Sequence, residues 1–223
     1  MRRFWSLKLM LLAALAAMAV QAQVPGWEGV LGRGQTMAVP APIPDGHATA
    51  IFAGGCFWCM ERDFESLPGV VEVESGYTAG FTSHPDYFSV SEGRTGHTEA
   101  VRVIYDPARL SYAQLVAFFW RHVDPTAKDR QFCDTGKQYR SGIYWQNDQE
   151  REIAERSRDD LLASGRFRNI HTELAPASSF WMAESFHQDY YKKNPLRYGY
   201  YRFACGRDAR LAELWGERPA GER

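Results

Sequence analysis

The sequence predicts an α+β domain, on three observations. A short apolar strand runs into a glycine pair and then into a helical apolar period. Further strand-like and helix-like segments follow in mixed order instead of as a strict βα alternation. Finally, the 45% hydrophobic and 14% aromatic content over 223 residues suffices for a sizeable core without disulfide staples.

The first element is the run Ala48 to Ala53, which Gly54-Gly55 ends. From Cys56 to Leu67 apolar residues recur at 57, 60, 64 and 67, and Pro68-Gly69 stops the helix they imply. Val70 to Val73 and Glu99 to Tyr105 read as strands, separated by an excursion from Gly76 to His97 whose length marks a functional loop. Ser111-Tyr112-Ala113-Gln114 has capping-box spacing, and Leu115, Phe118, Phe119 and His122 share one face, giving a helix over 112–122. Ser141 to Trp145 reads as a strand, Gln149 to Ala163 as a polar helix ended by Gly165, and His171 to Leu174 as a strand. The rest reads as aromatic and irregular until Arg207 to Trp215, where Leu211, Leu214 and Trp215 fit the inner face of a short helix.

The ends read differently. Met1-Arg2-Arg3, the apolar run Leu7 to Val20 and the Val20-Gln21-Ala22 site predict a cleaved secretory signal over residues 1–22 and an exported, periplasmic protein with no membrane association after cleavage. Retention as an anchor would need a longer apolar run. Residues 23–46, rich in Pro, Gly and Ala, read as an arm, 47–215 as the domain and 216–223 as a tail. With 26 basic against 27 acidic residues, nothing draws the chain to nucleic acid.

Four cysteines, Cys56, Cys59, Cys133 and Cys205, are too few for a scaffold and point to chemistry. Cys56 follows the glycine turn at a helix start, where unpaired N–H groups and the helix dipole favour a thiolate. Phe57-Trp58 beside it offers an apolar wall for a methyl or alkyl group. Cys56-Phe57-Trp58-Cys59 admits a thioredoxin-like redox pair, half of a zinc site, or a two-electron cycle through a sulfenic acid. The zinc reading lacks a second cysteine pair, and His97-Thr98-Glu99 lies in the wrong order for a zinc deaminase, so no metal is expected. The redox-pair reading lacks the early strand and helix that should precede it.

The run Phe52-Ala53-Gly54-Gly55-Cys56-Phe57-Trp58-Cys59-Met60-Glu61 resembles the signature of the peptide methionine sulfoxide reductase A family. Ordered blocks continue it: Leu67-Pro68-Gly69-Val70, Ser75 to Gly80, Gly96 to Val101, Tyr105-Asp106-Pro107, His122 to Pro125 and Gly136 to Ser141. The resemblance spans residues 48–207. It implies a two-layer α/β sandwich with a ferredoxin-like core and long wrapping coils. It makes Cys56 the nucleophile, Phe57 and Trp58 the methyl cradle, Glu99 the acid on the sulfoxide oxygen, and Tyr87, Asp134 and Tyr139 the polar side of the pocket. Independently of the family, a thiolate attacking a sulfoxide sulfur needs a proton donor and hydroxyls at the oxygen, and Glu99 must be buried to stay protonated.

The resemblance implies a metal-free, cofactor-free monomer. It reduces the S epimer of methionine sulfoxide, free or in oxidised proteins, and is regenerated by thioredoxin or another dithiol. Cys205, in a C-terminal segment, is the expected resolving thiol, ahead of Cys59, where many relatives carry glycine, and Cys133. General disulfide exchange through Cys56 and Cys59, and a thiol-dependent binding module for Met-rich segments, are the competing functions. His97 and His187 read as structural.

Overall fold

The computed structural model describes residues 36–216. The signal expected over 1–22, the first part of the arm and the tail from 217 lie outside the described residues. Strands β1 (Ala48–Gly54), β2 (Val70–Thr78), β3 (Thr98–Tyr105), β6 (Ser141–Trp145), β7 (Glu173–Pro176) and β8 (Trp181–Met182) form one sheet in the order β7-β6-β1-β3-β2-β8. All neighbours are antiparallel except β6 and β7. A separate two-stranded hairpin joins β4 (Arg130–Gln131) to β5 (Asp134–Thr135). The expected α+β sandwich is the fold observed.

The helices are α1 (Phe57–Glu65), α2 (Tyr87–Ser91), α3 (Tyr112–Arg121), α4 (Asp148–Ala163), α5 (Tyr190–Lys193), α6 (Pro195–Ala204) and α7 (Arg207–Trp215). In α1, Phe57, Met60 and Phe64 lie at the predicted spacing and are fully buried. Burial of each such side chain stabilises the fold by about 1.5–3 kcal/mol. Phe52 of β1 stacks between Phe64 at 5.0 Å and Phe119 of α3 at 5.3 Å, so one ring ties both helices to the sheet. The Ser111 hydroxyl accepts from Gln114 N and the Gln114 side chain accepts from Ser111 N, the capping box the sequence predicts.

Three expectations are corrected. Strand β2 does not stop at Val73 but runs to Thr78, because β3 pairs with it as far as Thr98. The excursion to His97 contains α2, whose Asp86 cap accepts from Ser89 N at 2.7 Å. The stretch expected to be irregular holds β8, α5 and α6. The arm is fixed to the domain from residue 36 onward: Met37 bridges Glu184, Ala38 N donates to Ala183 O at 3.1 Å, and Ala41 N donates to Glu74.

Register places the site. Phe52 pairs with Val101, so the C-terminal end of β1 and the N-terminal end of β3 meet at one rim of the sheet. Gly54-Gly55-Cys56 and Glu99 are thereby neighbours despite their separation in sequence.

Within α1, Glu61 is 1% exposed, and accepts from Asp189 N at 2.8 Å and from the Ser75 hydroxyl at 3.2 Å. Burial pushes its carboxyl up to about 8, since two hydrogen bonds do not replace the water it loses. A carboxyl whose pKa rises on folding binds a proton that the unfolded chain releases. Its stabilisation is therefore complete below the ordinary value near 4.5 and is lost as pH climbs through 8, at up to about 1.4 kcal/mol per pH unit. Glu61→Gln is expected to reduce the fall in urea midpoint between pH 5 and pH 8. An unchanged fall would show that Glu61 keeps its charge in the folded chain.

Candidate active site

Cys56 caps the N-terminus of α1, and the turn that delivers it depends on Gly55. That residue holds φ +84°, and a Cβ there would lie 2.6 Å from the Gln131 Cβ. A side chain at 55 would clash as well as strain the backbone. The turn is thus closed over by the β4–β5 hairpin, leaving Cys56 6% and Cys59 1% exposed.

The two thiols share a hydrogen bond. Burial pushes Cys56 well above the ordinary thiol value, and Cys59, Glu99 and Asp134 push the same way. The hydrogen bond from Cys56 draws Cys59 down to about 7 against burial, helped by Arg207 and Arg202. The expected Cys56 thiolate is therefore corrected: the helix N-terminus is occupied by another group. Phe57 N–H donates to Glu99 Oε2 at 3.0 Å. What the site holds at neutral pH is a dithiol that loses its first proton near 7, with the remaining proton between the two sulfurs. When Cys56 attacks, Cys59 is placed to keep that proton.

Glu99 is 3% exposed, and burial raises its pKa well above the carboxylate range despite the Phe57 N–H. This is the direction expected from the sequence, and its cause is loss of water. Tyr87 and Tyr139 share a hydrogen bond, and burial, with Glu99 nearby, keeps both hydroxyls protonated as donors. Asp134, at the start of β5, is raised by burial, while Tyr201 and Arg207 oppose the shift. The charges of Glu99 and Asp134 are felt at Cys56, and that of Cys56 at both tyrosines. The five expected polar and thiol residues thus converge.

The apolar wall is larger than Phe57 and Trp58. Trp58 stacks on Tyr190 with centroids 3.7 Å apart and meets the edge of Tyr201 at 6.0 Å. Its indole N–H donates to His187 Nδ1 at 3.0 Å, which puts the His187 proton on Nε2. Burial holds that imidazole neutral, down to about 3. His187, expected to be structural, acts structurally on a site residue by fixing the indole plane. Glu184 accepts from Tyr87 N at 2.8 Å and from the Tyr77 hydroxyl at 2.9 Å, anchoring α2 over the pocket. Tyr201 escaped the sequence reading: its hydroxyl donates to Asp134 Oδ2 at 2.6 Å. The only trace of it was the density of tyrosines between 190 and 201.

Cys205 is joined to Cys133, not to Cys56. The direct Cys56–Cys205 bond expected of a resolving thiol is not the pairing present, because the β4–β5 hairpin presents Cys133 to the end of α6. Two groupings of metal-ligand types occur among the described residues. In one, the sulfurs of Cys133 and Cys205 are already bonded to each other beside Asp134. In the other, Glu61, Glu65 and Asp189, Lys192 bridges Glu65 and Asp189 at 2.7 Å each.

A dithiol facing a carboxyl that keeps its proton, with two phenol donors alongside, suits two-electron sulfur chemistry in which an oxygen must be protonated as it departs. Fold and site together define a thiol-based oxidoreductase. The sequence profile described as Peptide methionine sulfoxide reductase matches residues 48–219, and the chain belongs to that family. It is 49% identical over 177 residues to Peptide methionine sulfoxide reductase MsrA 2 of Caulobacter vibrioides, covering 79% of this chain and 90% of that one. It is 45% identical over 170 residues to Peptide methionine sulfoxide reductase MsrA of Bacillus licheniformis, covering 76% and 94%. The solved structure of methionine sulfoxide reductase A of Corynebacterium diphtheriae superposes with a TM-score of 0.62 at 34% identity, covering 74% of this chain and 91% of that one.

Proposed function

We propose that this chain reduces the S epimer of methionine sulfoxide, free or in oxidised proteins, to methionine. The observation that carries this reading is the meeting of the Cys56 thiol with the buried Glu99 carboxyl at the start of α1, below the Phe57-Trp58 wall. The methyl of the sulfoxide lies against the two rings. Cys56 attacks sulfur as its proton passes to Cys59, and Glu99 with the Tyr87 and Tyr139 hydroxyls takes up the charge growing on oxygen. The bond between the two sulfurs then breaks as the oxygen passes from the substrate sulfur to Cys56, so that methionine leaves and Cys56 is left as a sulfenic acid. One hand of the sulfoxide sets methyl and oxygen on these two fixed sides at once; the other reverses them.

Cys59, already hydrogen-bonded to Cys56, condenses with the sulfenic acid and releases water. Cys205 acts afterwards: as the reduced pair, Cys133 and Cys205 reduce the Cys56–Cys59 disulfide and become the bond seen here. Thioredoxin or a similar dithiol protein then restores that pair. The reading of export to the periplasm rests on the sequence of residues 1–22, and that of a monomer on the family resemblance.

The test is turnover of the separated S and R epimers of a blocked methionine sulfoxide, with dithiothreitol as reductant. Only the S epimer should disappear. Consumption of neither epimer alongside rapid insulin reduction would instead support general exchange through Cys56 and Cys59. Binding of sulfoxide peptides without loss of sulfoxide would support the binding module.

A further inference from the structure

The Cys133–Cys205 disulfide is chemically asymmetric, and its asymmetry identifies the sulfur at which reducing electrons enter. Cys133 is exposed, at the turn between β4 and β5, and Cys205 is half-buried behind it at the end of α6. An external thiolate therefore meets Cys133 Sγ first. The environments of the two sulfurs differ as well. Cys133 N–H donates to Cys205 Sγ at 3.2 Å, an interaction that strengthens if Cys205 becomes an anion. Asp134 Oδ1 lies 3.7 Å from Cys133 Sγ, and its carboxylate charge would repel an anion on Cys133. Helix dipoles do not reverse the bias. Cys205 is the C-cap of α6 and stands two residues before the first residue of α7, so the negative end of one helix and the positive end of the next act on it together.

Thiol–disulfide exchange is fastest when the exposed sulfur is attacked and the more readily ionised thiol leaves. We infer that a dithiol protein attacks this bond at Cys133 Sγ and expels Cys205 as the thiolate, the inference resting on the sulfoxide-reductase reading above for the role of the bond. In the first step a bond forms between the partner's sulfur and Cys133 as the Cys133–Cys205 bond breaks. The second thiol of the partner then attacks its own sulfur in the mixed disulfide. Cys133 is released, the partner is left oxidised, and two electrons and two protons stay with Cys133 and Cys205.

The direction matters because the expelled Cys205 thiolate lies on the inner side of the bond, next to the site. Cys205 is one helical turn beyond Tyr201, which touches Asp134 and the edge of Trp58. Two residues further on, Arg207 donates to Gly54 O at 3.1 Å. The partner is thus held on the outer cysteine while the inner one is freed beside the Cys56 turn.

The experiment uses the full chain, oxidised at Cys133–Cys205, and a thioredoxin whose second motif cysteine is replaced by serine, so that the mixed disulfide is trapped. Free thiols are blocked with N-ethylmaleimide and the adduct is mapped by peptide mass spectrometry. The expected product carries thioredoxin on Cys133 and N-ethylmaleimide on Cys205, in at least about tenfold excess over the reverse. Thioredoxin on Cys205, on Cys56 or on Cys59, or no adduct at all, would overturn the inference. Methionine release from the S epimer in a single turnover of the dithiothreitol-reduced chain is measured in parallel. It reports on the reductase reading alone, so each can fail without the other.

Discussion

Cys56→Ser is expected to leave no measurable sulfoxide reduction, and Glu99→Gln to lower kcat on the S epimer by about 10²–10⁴ with a much smaller change in KM. The serine hydroxyl is neither ionised at neutral pH nor able to form the sulfenic acid of the proposed cycle. Glu99→Gln is the sharper experiment, because its shape and its hydrogen bond from Phe57 N–H survive while its proton does not. Burial raises Glu99, so the wild-type acid stays protonated beyond the range of an ordinary carboxyl, and sulfoxide reduction should fall toward alkaline pH as it ionises. On the acid side the limb should lie near 7, where the Cys56–Cys59 pair loses its first proton and Cys59 becomes able to accept the proton of Cys56. Rates measured across the range from mildly acidic to clearly alkaline pH for both chains would show it: the Glu99→Gln variant should retain the acid limb and lose the alkaline one. If disulfide exchange were the main activity, Glu99→Gln would leave turnover intact, since exchange protonates no departing oxygen.

The residues that could be placed from sequence are those whose environment is local. Gly54-Gly55 before Cys56 implied a turn into a helix N-terminus, and the 57, 60, 64 spacing implied the buried face of α1. The capping box at Ser111 and the apolar face behind it marked α3 for the same reason. Helix α6 was illegible because its pattern is inverted. Leu196, Tyr200 and Phe203, at i, i+4 and i+7, face solvent at 90%, 75% and 84% exposure, while Tyr198 and Arg202 are buried. Arg202 can be buried because Asp63 lies 3.0 Å away and Asp208 2.7 Å away, partners from two other helices that no periodicity announces.

The same distinction divides the site. Cys56, Phe57 and Trp58 follow one another, Glu99 and Tyr139 lie in blocks that carry the family resemblance, and Tyr87 and Asp134 are implied by that resemblance from between the blocks. What a string could not contain is which groups compete for the same donors. Glu99 and Cys56 both adjoin the first N–H of α1, and Glu99 takes it, which is why the thiol was expected to ionise more readily than its surroundings allow. The Cys133–Cys205 bond spans 72 residues and depends on a hairpin of two-residue strands, too short to register as apolar alternation.

Arg207→Met is expected to destabilise the chain by about 3–5 kcal/mol, the cost typical of removing one member of a buried ionic cluster. For a domain of this size that is a fall of roughly 6–20 °C in Tm. Arg207 is 2% exposed and its guanidinium meets several groups at once: Gly54 O at 3.1 Å, His122 O at 2.7 Å, the Met60 sulfur at 3.1 Å and the Phe132 ring at 4.5 Å. Methionine matches its apolar stem but donates nothing, so two buried carbonyls lose a donor and Asp63 loses one of the cations that face it, while keeping Arg202. Arg207→Lys should recover no more than part of the loss, because one ammonium cannot reach groups arranged around a planar fork. The effect should extend to the chemistry. Gly54 O belongs to the turn that presents Cys56, and Arg207 helps draw Cys59 down to about 7, so the Arg207→Met variant should also show its acid limb of activity displaced to higher pH. Thermal unfolding and the pH–rate profile of the same variant separate the two roles. A lowered Tm with an unmoved profile would make Arg207 a strut alone, and a displaced profile would show that the strut also sets the charge of the dithiol.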